Sequence, residues 1–171
     1  MNLTEHICHM AARYDAVAFD VFDTLIKRDV QEISAIERTP QLRKLLQLLA
    51  IRSANLLVPA TVAGDLGLNR TTVTRYLALF ESVFLIKTLP AWSGGGAHRA
   101  IGTPKLAFVD TGLLCHLLGQ GQARLADPGG AAGPVLENFV LMELARQLTW
   151  NDERATLWHY RTKDKVEVDA V

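Results

Sequence analysis

Residues 62–80 read VAGDLGLNRTTVTRYLALF, a stretch in which two helical patterns meet at a glycine. Ala63 and Leu66 belong to the first pattern, and Gly67 ends it because glycine readily adopts the left-handed conformation found at helix ends. Asn69 is a favoured N-cap residue for the helix that follows. Apolar residues recur at helical spacing in this second helix and predict a buried face formed by Val73, Tyr76, Leu77 and Phe80. The stretch therefore predicts a helix-turn-helix.

The outward side of the predicted second helix is polar and mildly basic. Its residues are Arg70, Thr71, Thr72, Thr74 and Arg75. A polar start of the second helix is typical of helices that enter a DNA groove. Strands predicted at 83–89 and 105–109, with Arg99 near the tip of their glycine-rich connection, would complete a winged helix. We predict that these six polar residues bind duplex DNA, and a winged helix that contacts a protein partner is the alternative.

The composition limits the classes of function. The 171 residues carry zero formal net charge, so a DNA contact would depend on a local basic face and not on the overall charge. The longest apolar runs are far too short to cross a bilayer. We therefore predict a cytoplasmic protein without membrane contact.

The rest of the chain alternates between helix and strand patterns. A short helix is predicted at 111–118, and the Gly, Ala and Pro content of residues 119–133 predicts a linker. A helix at 135–150 is followed by a hairpin whose strands are predicted at 156–161 and 165–171. The predicted buried stripe of this helix is Leu136, Phe139, Val140 and Leu144.

Two carboxylates in this last region form a candidate metal site. Glu137 lies early on the predicted helix, and Asp169 lies on the last predicted strand. A magnesium-dependent nuclease needs at least two such carboxylates, usually with a lysine on the next strand. The spacing alone is also common among residues that only face solvent.

The order of segments resembles a known family. RDVQEISAIERTPQLRKLLQLLA, the helix-turn-helix, FLIKTLPAW, PKLAFVDTGLL, LENFVLMEL and LWHYRTKDKVEVDAV follow one another over residues 28–171. This succession resembles the C-terminal domain of unknown function that follows the ATPase domain in AAA-type ATPase family proteins. The resemblance implies a winged helix followed by a nuclease-like fold of the PD-(D/E)XK type. It also implies that Glu137, Glu167 and Asp169 occupy the acidic positions of that fold.

The chain departs from this family pattern in two respects. A phosphate loop of the form GxxxxGK[ST] does not occur in the sequence. The strand on which a Glu-x-Lys would be expected is not found up to Val171, so the implied site would lack its last carboxylate and its lysine. We therefore expect no catalytic activity and no cofactor, with Mg²⁺ as the ion if the site were completed.

A second resemblance lies near the start of the chain. The stretch YDAVAFDVFDTLIKR, residues 14–28, resembles the first motif of haloacid-dehalogenase-type hydrolases. The resemblance implies Asp20 as nucleophile, Asp23 as acid and base, and Mg²⁺ as the ion that holds substrate phosphate. The other elements that such an enzyme needs would require a longer domain, so we interpret this motif as a remnant.

Together these observations predict an α+β chain in which a winged helix precedes a truncated restriction-endonuclease-like α/β unit. The predicted divisions are a stub at 1–28, a winged-helix domain at 29–118, a linker at 119–133 and the nuclease-like unit at 134–171. The predicted function is a non-catalytic binding module for DNA or a protein partner, an AAA-type ATPase domain included. A metal-dependent nuclease and a phosphatase fragment that uses Asp20 and Asp23 are the alternatives.

Overall fold

A computed structural model describes residues 39–92, 100–121, 124–125, 127 and 130–171 of the chain. The predicted stub at 1–28, with Asp20 and Asp23, lies outside these residues, and so does Arg99. The named helices and strands, in chain order, are α1 (Thr39–Ile51), α2 (Pro59–Leu66), α3 (Arg70–Ser82), β1 (Ile86–Leu89), β2 (Lys105–Phe108), α4 (Thr111–Leu117), α5 (Ala132–Gln147), β3 (Tyr160–Arg161) and β4 (Glu167–Val168).

The predicted helix, glycine turn and helix are confirmed as α2 and α3. Pro59 opens α2, where a missing backbone N–H costs nothing, and Gly67 ends it with a φ of 62°. The Asn69 side chain caps α3 by accepting a hydrogen bond of 2.8 Å from the Thr71 N–H. Val73, Tyr76, Leu77 and Phe80 are all buried, as the apolar spacing predicts.

The main core is formed where α1, α2 and α3 meet. Leu42, Leu45 and Leu46 of α1 are fully buried, and they belong to the same cluster as Val62 and Phe80. Residues from β1, β2, α4 and the start of α5 extend this cluster, including Ile86, Phe108, Leu114 and Val135. A smaller apolar cluster lies beside it and contains Leu89, Ala107, Leu141 and Met142.

Two small antiparallel sheets flank the helices. In the first, Ile86 of β1 pairs with Phe108 of β2, and Leu89 pairs with Lys105. In the second, Tyr160 of β3 pairs with Val168 of β4. The named strands are shorter than the predicted ones, at four residues each in the first sheet and two each in the second.

A buried amide joins α5 to β2. The Asn138 Oδ1 accepts hydrogen bonds from the Phe108 N–H at 2.7 Å and from the Ser53 hydroxyl at 3.0 Å. Its Nδ2 donates to the Phe108 carbonyl at 3.0 Å and to the Thr111 hydroxyl at 3.1 Å. Because a buried polar group is costly unless its hydrogen bonds are made, this set of bonds fixes the rotation of α5 against the sheet.

The predicted buried stripe of α5 is wrong at Leu136 and Val140, whereas Phe139 is partly buried and packs against the main core. Leu136 and Val140 are exposed, and the buried residues of the helix are Val135, Asn138, Leu141 and Met142. The reason is that α5 carries apolar residues on more than one face, and the hydrogen-bonded Asn138 selects the face that packs. A count of apolar positions alone cannot place a polar residue at the centre of the buried face.

These elements make the described part of the chain a mixture of helices and small antiparallel sheets, in agreement with the predicted α+β class. Within the described residues, no helix combines the length and the apolar character needed to cross a membrane. The division into domains at 28, 118 and 133 stays a prediction.

Candidate functional site

A lysine lies buried at the start of β2. Lys105 is the first residue of the strand, opposite Leu89 of β1, and its side chain is 1% exposed. The backbone of Leu56 bridges to the other side of the same residue. Backbone pairing on both sides therefore fixes the position of Lys105. The partners of its amino group come from other elements of the fold.

Three carboxylates meet at this amino group. The Lys105 Nζ lies 2.7 Å from the Glu137 Oε1, 2.9 Å from the Glu167 Oε1 and 2.7 Å from the Asp169 Oδ1. Glu137 comes from α5, whereas Glu167 and Asp169 come from β4 and the residue that follows it. The structure thus brings together the three acidic residues that the family resemblance implies, around a cation that belongs to the chain itself.

The pKa values of this Lys105 cluster reflect burial and charge. Burial alone would lower the pKa of Lys105, but hydrogen bonds to Asp169, Glu137 and Glu167 outweigh it and hold the pKa well above its usual value. Burial raises the pKa of Glu137 above 4.5, and the negative charge of Asp169 adds to this effect. The hydrogen bond and the positive charge of Lys105 act to lower the pKa of Glu137, but the effect of burial is larger.

The cluster carries more carboxylates than cations. Besides Lys105, the guanidinium of Arg161 lies 3.3 Å from the Glu167 Oε2. Three carboxylates against these two cations leave a formal charge of −1 when all five groups are ionised. The carboxylates keep part of their surface in water, with Asp169 the most accessible at 53% exposure of its side chain.

A buried histidine immediately precedes β3. His159 is fully buried, and its Nε2 lies 2.9 Å from the Thr103 carbonyl oxygen, so it donates a hydrogen bond there. Within the part of the chain that the structure describes, its Nδ1 has no hydrogen-bond partner. Burial lowers the pKa of His159 below its usual 6.5, which favours the neutral ring.

The geometry does not form a ready-made metal centre. Among the described residues, no group of three or more His, Cys, Asp or Glu side chains is arranged so that it could hold a metal ion. Glu137 and Asp169, predicted as metal ligands, bind the Lys105 ammonium. Their role in metal binding, and that of Glu167 in catalysis, stays a prediction.

The predicted DNA-contacting residues lie together on α3. Arg70, Thr71, Thr74 and Arg75 are exposed, and Thr72 is half-buried. The guanidinium carbon of Arg75 lies 5.7 Å from the centre of the Tyr76 ring, so it extends along the helix surface. Four of the five predicted α3 residues therefore form one polar surface, which we call the α3 face.

Sequence reasoning missed Lys105 and His159. Lys105 stands between Pro104 and the apolar run LAFV, where a lysine is ordinary at an exposed strand end, so the sequence does not signal its burial. His159 gave no signal either, because its environment is created by Thr103, which is 56 residues away in the chain.

The described residues form an α+β structure with two helices joined at Gly67 and a buried lysine that contacts three carboxylates. The chain belongs to the family described as Domain of unknown function (DUF8612), whose family profile matches residues 9–124. The profile of a second family, Domain of unknown function (DUF4143), matches residues 132–171, and this family is commonly associated with AAA-type ATPases. The predicted resemblance to an ATPase-associated domain of unknown function is thereby confirmed at this coarser level.

Two relatives illustrate the wider similarity. An uncharacterized protein of Mycobacterium tuberculosis is 29% identical over 146 residues, which cover 85% of this chain and 32% of the relative. An uncharacterized protein of Haemophilus influenzae is 25% identical over 138 residues, which cover 78% of this chain and 33% of the relative. The chain thus spans about a third of the length of these relatives. No solved structure matches it significantly.

Proposed function

We propose that this chain is a non-catalytic binding module in which α2 and α3 act as the helix-turn-helix of a winged helix, with β1 and β2 as its wing, and in which the α3 face contacts duplex DNA. The observation that carries the proposal is the exposure of Arg70, Thr71, Thr74 and Arg75 on one side of α3. The opposite side of the same helix is fixed in the core by Val73, Tyr76 and Phe80.

The placement of these residues suits a groove. Positions 70, 71, 74 and 75 follow the spacing of one helix face near its N-terminus, which is the part of a recognition helix that meets base edges and phosphates. Arg70 and Arg75 supply positive charge, and the hydroxyls of Thr71 and Thr74 can donate hydrogen bonds to phosphate oxygens. The partial positive charge of the α3 N-terminus adds to the attraction.

The Lys105 cluster supports the non-catalytic part of the proposal. Glu137, Glu167 and Asp169 lie 2.7 to 2.9 Å from the Lys105 ammonium and connect α5, β2 and the segment of β4. Such a network can hold these elements together without any catalytic role. We infer that the cluster stabilises the fold of this chain.

The relatives support a role inside a larger assembly. The second matching family is commonly associated with AAA-type ATPases, and the chain spans about a third of its relatives. We propose that an AAA-type ATPase domain is the natural partner of the module. DNA contact by the module would then place the ATPase on its substrate.

Fluorescence anisotropy with labelled duplex DNA tests the proposal. The change is Arg70→Ala with Arg75→Ala, and the matched control is Arg154→Ala with Lys163→Ala, which removes the same charge from exposed positions elsewhere. We expect the double α3 variant to bind about tenfold or more weakly, and the slope of log K against log salt to fall by roughly two, because two phosphate contacts are lost. The control should keep both the affinity and the slope.

Two results would contradict the proposal. Absence of duplex binding by the unchanged chain at low salt would exclude DNA as the ligand of the α3 face and leave a protein partner as the alternative. Equal losses in the α3 variant and in the control would show that binding follows net charge and not the α3 face.

A metal-dependent nuclease is the second candidate, because Glu137, Glu167 and Asp169 converge on one point. Incubation of supercoiled plasmid with the chain and Mg²⁺ or Mn²⁺ tests it. Nicking that disappears in Glu137→Gln would favour the nuclease over the non-catalytic module. A phosphatase that uses Asp20 and Asp23 stays a prediction, since both residues lie outside the described part of the chain.

A further inference from the structure

Residues 162–171 are held very differently from the helices. We call this segment the strap; it contains the turn of the second hairpin and β4. Val166, Val168 and Val171 are all exposed, so the strap buries little apolar surface. Ala170 of the strap is partly buried and packs against the smaller apolar cluster, which contains Leu89 and Met142. Hydrophobic burial therefore provides little of the free energy that keeps the strap in place.

The hairpin is short, with two residues in each of its named strands. The Val171 N–H donates to the Trp158 carbonyl at 2.8 Å, and the Trp158 N–H donates to the Val171 carbonyl at 3.0 Å. At the turn, the Thr162 N–H donates to the Val166 carbonyl at 2.9 Å. Two-stranded ribbons of this length are marginal in water without further attachment.

Strand β3 has such an attachment of its own. The Trp92 N–H donates to the His159 carbonyl at 2.7 Å, and the Ile101 N–H donates to the Arg161 carbonyl at 2.8 Å. These bonds tie β3 to two points of the connection between β1 and β2. The strap itself meets this connection at its first residue, Thr162, which forms a bridge with Ala100, and it is otherwise joined through its pairing with β3.

The charged attachment of the strap to the helical body runs through Lys105. Asp169 of the strap accepts a hydrogen bond from the Lys105 Nζ, Glu167 forms an ion pair with it at 2.9 Å, and Glu137 of α5 accepts a further hydrogen bond. Hydrogen bonds between charged partners are about twice as strong as neutral ones. The same contacts cover Lys105, whose side chain is 1% exposed.

We propose that the strap is a conformational device fastened by Lys105, and that it opens as a unit while the helical body stays folded. Opening separates Glu167 and Asp169 from Lys105 and leaves Glu137 as the remaining carboxylate at the amino group. The ammonium then faces solvent and becomes available to an anionic group. The strap thus controls whether this surface presents carboxylates or a lysine.

Native-state hydrogen exchange tests the proposal. In the unchanged chain, the Val171 amide reports on the strap and the Leu106 amide, which donates to the Asn55 carbonyl at 2.9 Å, reports on the body. We expect Val171 to exchange through a local opening, faster than Leu106. In Glu167→Gln with Asp169→Asn, exchange at Val171 should accelerate by about tenfold or more, since two charged contacts with Lys105 are weakened, and it should remain faster than exchange at Leu106.

A matched control and a second readout make the test specific. Asp152→Asn with Glu153→Gln removes the same charge from exposed residues that precede the hairpin, and it should leave Val171 unchanged. Labelling with an amine-reactive reagent, followed by mass spectrometry, should modify Lys105 faster in the strap variant than in this control. The variants are at partly exposed positions, so the body is expected to fold in both.

Either of two outcomes would overturn the proposal. If Val171 and Leu106 exchange with the same free energy in the unchanged chain, the strap opens only when the whole structure unfolds. If the strap variant and the control accelerate Val171 and Lys105 labelling equally, Lys105 does not fasten the strap.

Discussion

The side chains that pack α2 against α3 are apolar and lie close together in the chain, whereas those that meet at Lys105 are charged and come from distant segments. Helices α2 and α3 are separated by three residues, and their contacts follow from one continuous stretch. Lys105 lies 32 residues from Glu137 and 64 from Asp169. The first region can form through local contacts, and the second can form only after the sheet and α5 have been assembled.

The two regions also differ in what holds them together. Burial of an apolar side chain is favourable wherever it occurs, so the α3 region tolerates small changes of geometry. Burial of an ammonium is favourable only if its partners are correctly placed, because removal of the charge from water is costly. The α3 region is therefore expected to carry most of the stability, and the Lys105 cluster to define how α5 and the strap are placed.

The largest expected effect is in the α3 region. Phe80→Ala removes a fully buried aromatic side chain from the main core and should lower the free energy of unfolding by about 3–5 kcal/mol, from lost burial and the cavity left behind. Urea denaturation followed by circular dichroism measures this change.

Phe84→Ala provides the matched control for that substitution. Phe84 is 77% exposed, so its removal should change the free energy of unfolding by less than about 0.5 kcal/mol. Similar losses for the two variants would contradict the assignment of the core to α3 and its neighbours.

The next effect in size is at the Lys105 cluster. Lys105→Met keeps the length of the side chain but removes the charge, so Glu137, Glu167 and Asp169 are left to repel one another. We expect a loss of about 2–3 kcal/mol at neutral pH, below the usual cost of breaking a buried pair because the carboxylates retain contact with water. Lys163→Met, at an exposed position, should have almost no effect.

A second variant separates repulsion from lost packing. Adding Glu137→Gln to Lys105→Met removes one of the repelling charges and should restore part of the lost free energy, as measured in a double-mutant cycle. If Lys105→Met is as stable as the unchanged chain, the cluster contributes nothing net to stability, and the comparison between the two regions fails.

The same contrast explains how much of the molecule could be predicted from sequence. Gly67, Asn69 and the buried face of α3 were predictable because a helix repeat and its end signals are local properties. The family resemblance implied Glu137, Glu167 and Asp169 as one site, and they do converge. Their shared partner, Lys105, could not be predicted from spacing, since its contacts depend on the register of β2 and the rotation of α5.

The error on α5 has the same origin. Leu136 and Val140 follow a correct helical repeat, but the helix turns another face to the sheet because Asn138 makes four hydrogen bonds there. Periodicity predicts that a helix is amphipathic, and it identifies the buried face only when polar residues stay outside. The predicted face is therefore wrong when a polar residue is buried through hydrogen bonds to other segments.

The smallest predicted effect concerns His159, which borders the charged region and depends on pH. The folded chain holds the pKa of His159 below its usual 6.5 through burial, and a proton at Nδ1 would place a donor where the described residues offer no acceptor. The unfolded chain therefore binds this proton more readily than the folded one. The contribution of His159 to stability is fully present above about pH 6.5 and is lost as the pH falls from there toward the lowered folded-state pKa.

We expect the unchanged chain to lose free energy of unfolding between pH 7.5 and 5.5 relative to His159→Gln, which cannot take up the proton. His116→Gln serves as the control, because it removes a histidine that is not fully buried. Parallel pH profiles for the unchanged chain and His159→Gln would mean that the folded chain takes up the proton on His159 without loss of stability. That result would contradict the lowered pKa of His159.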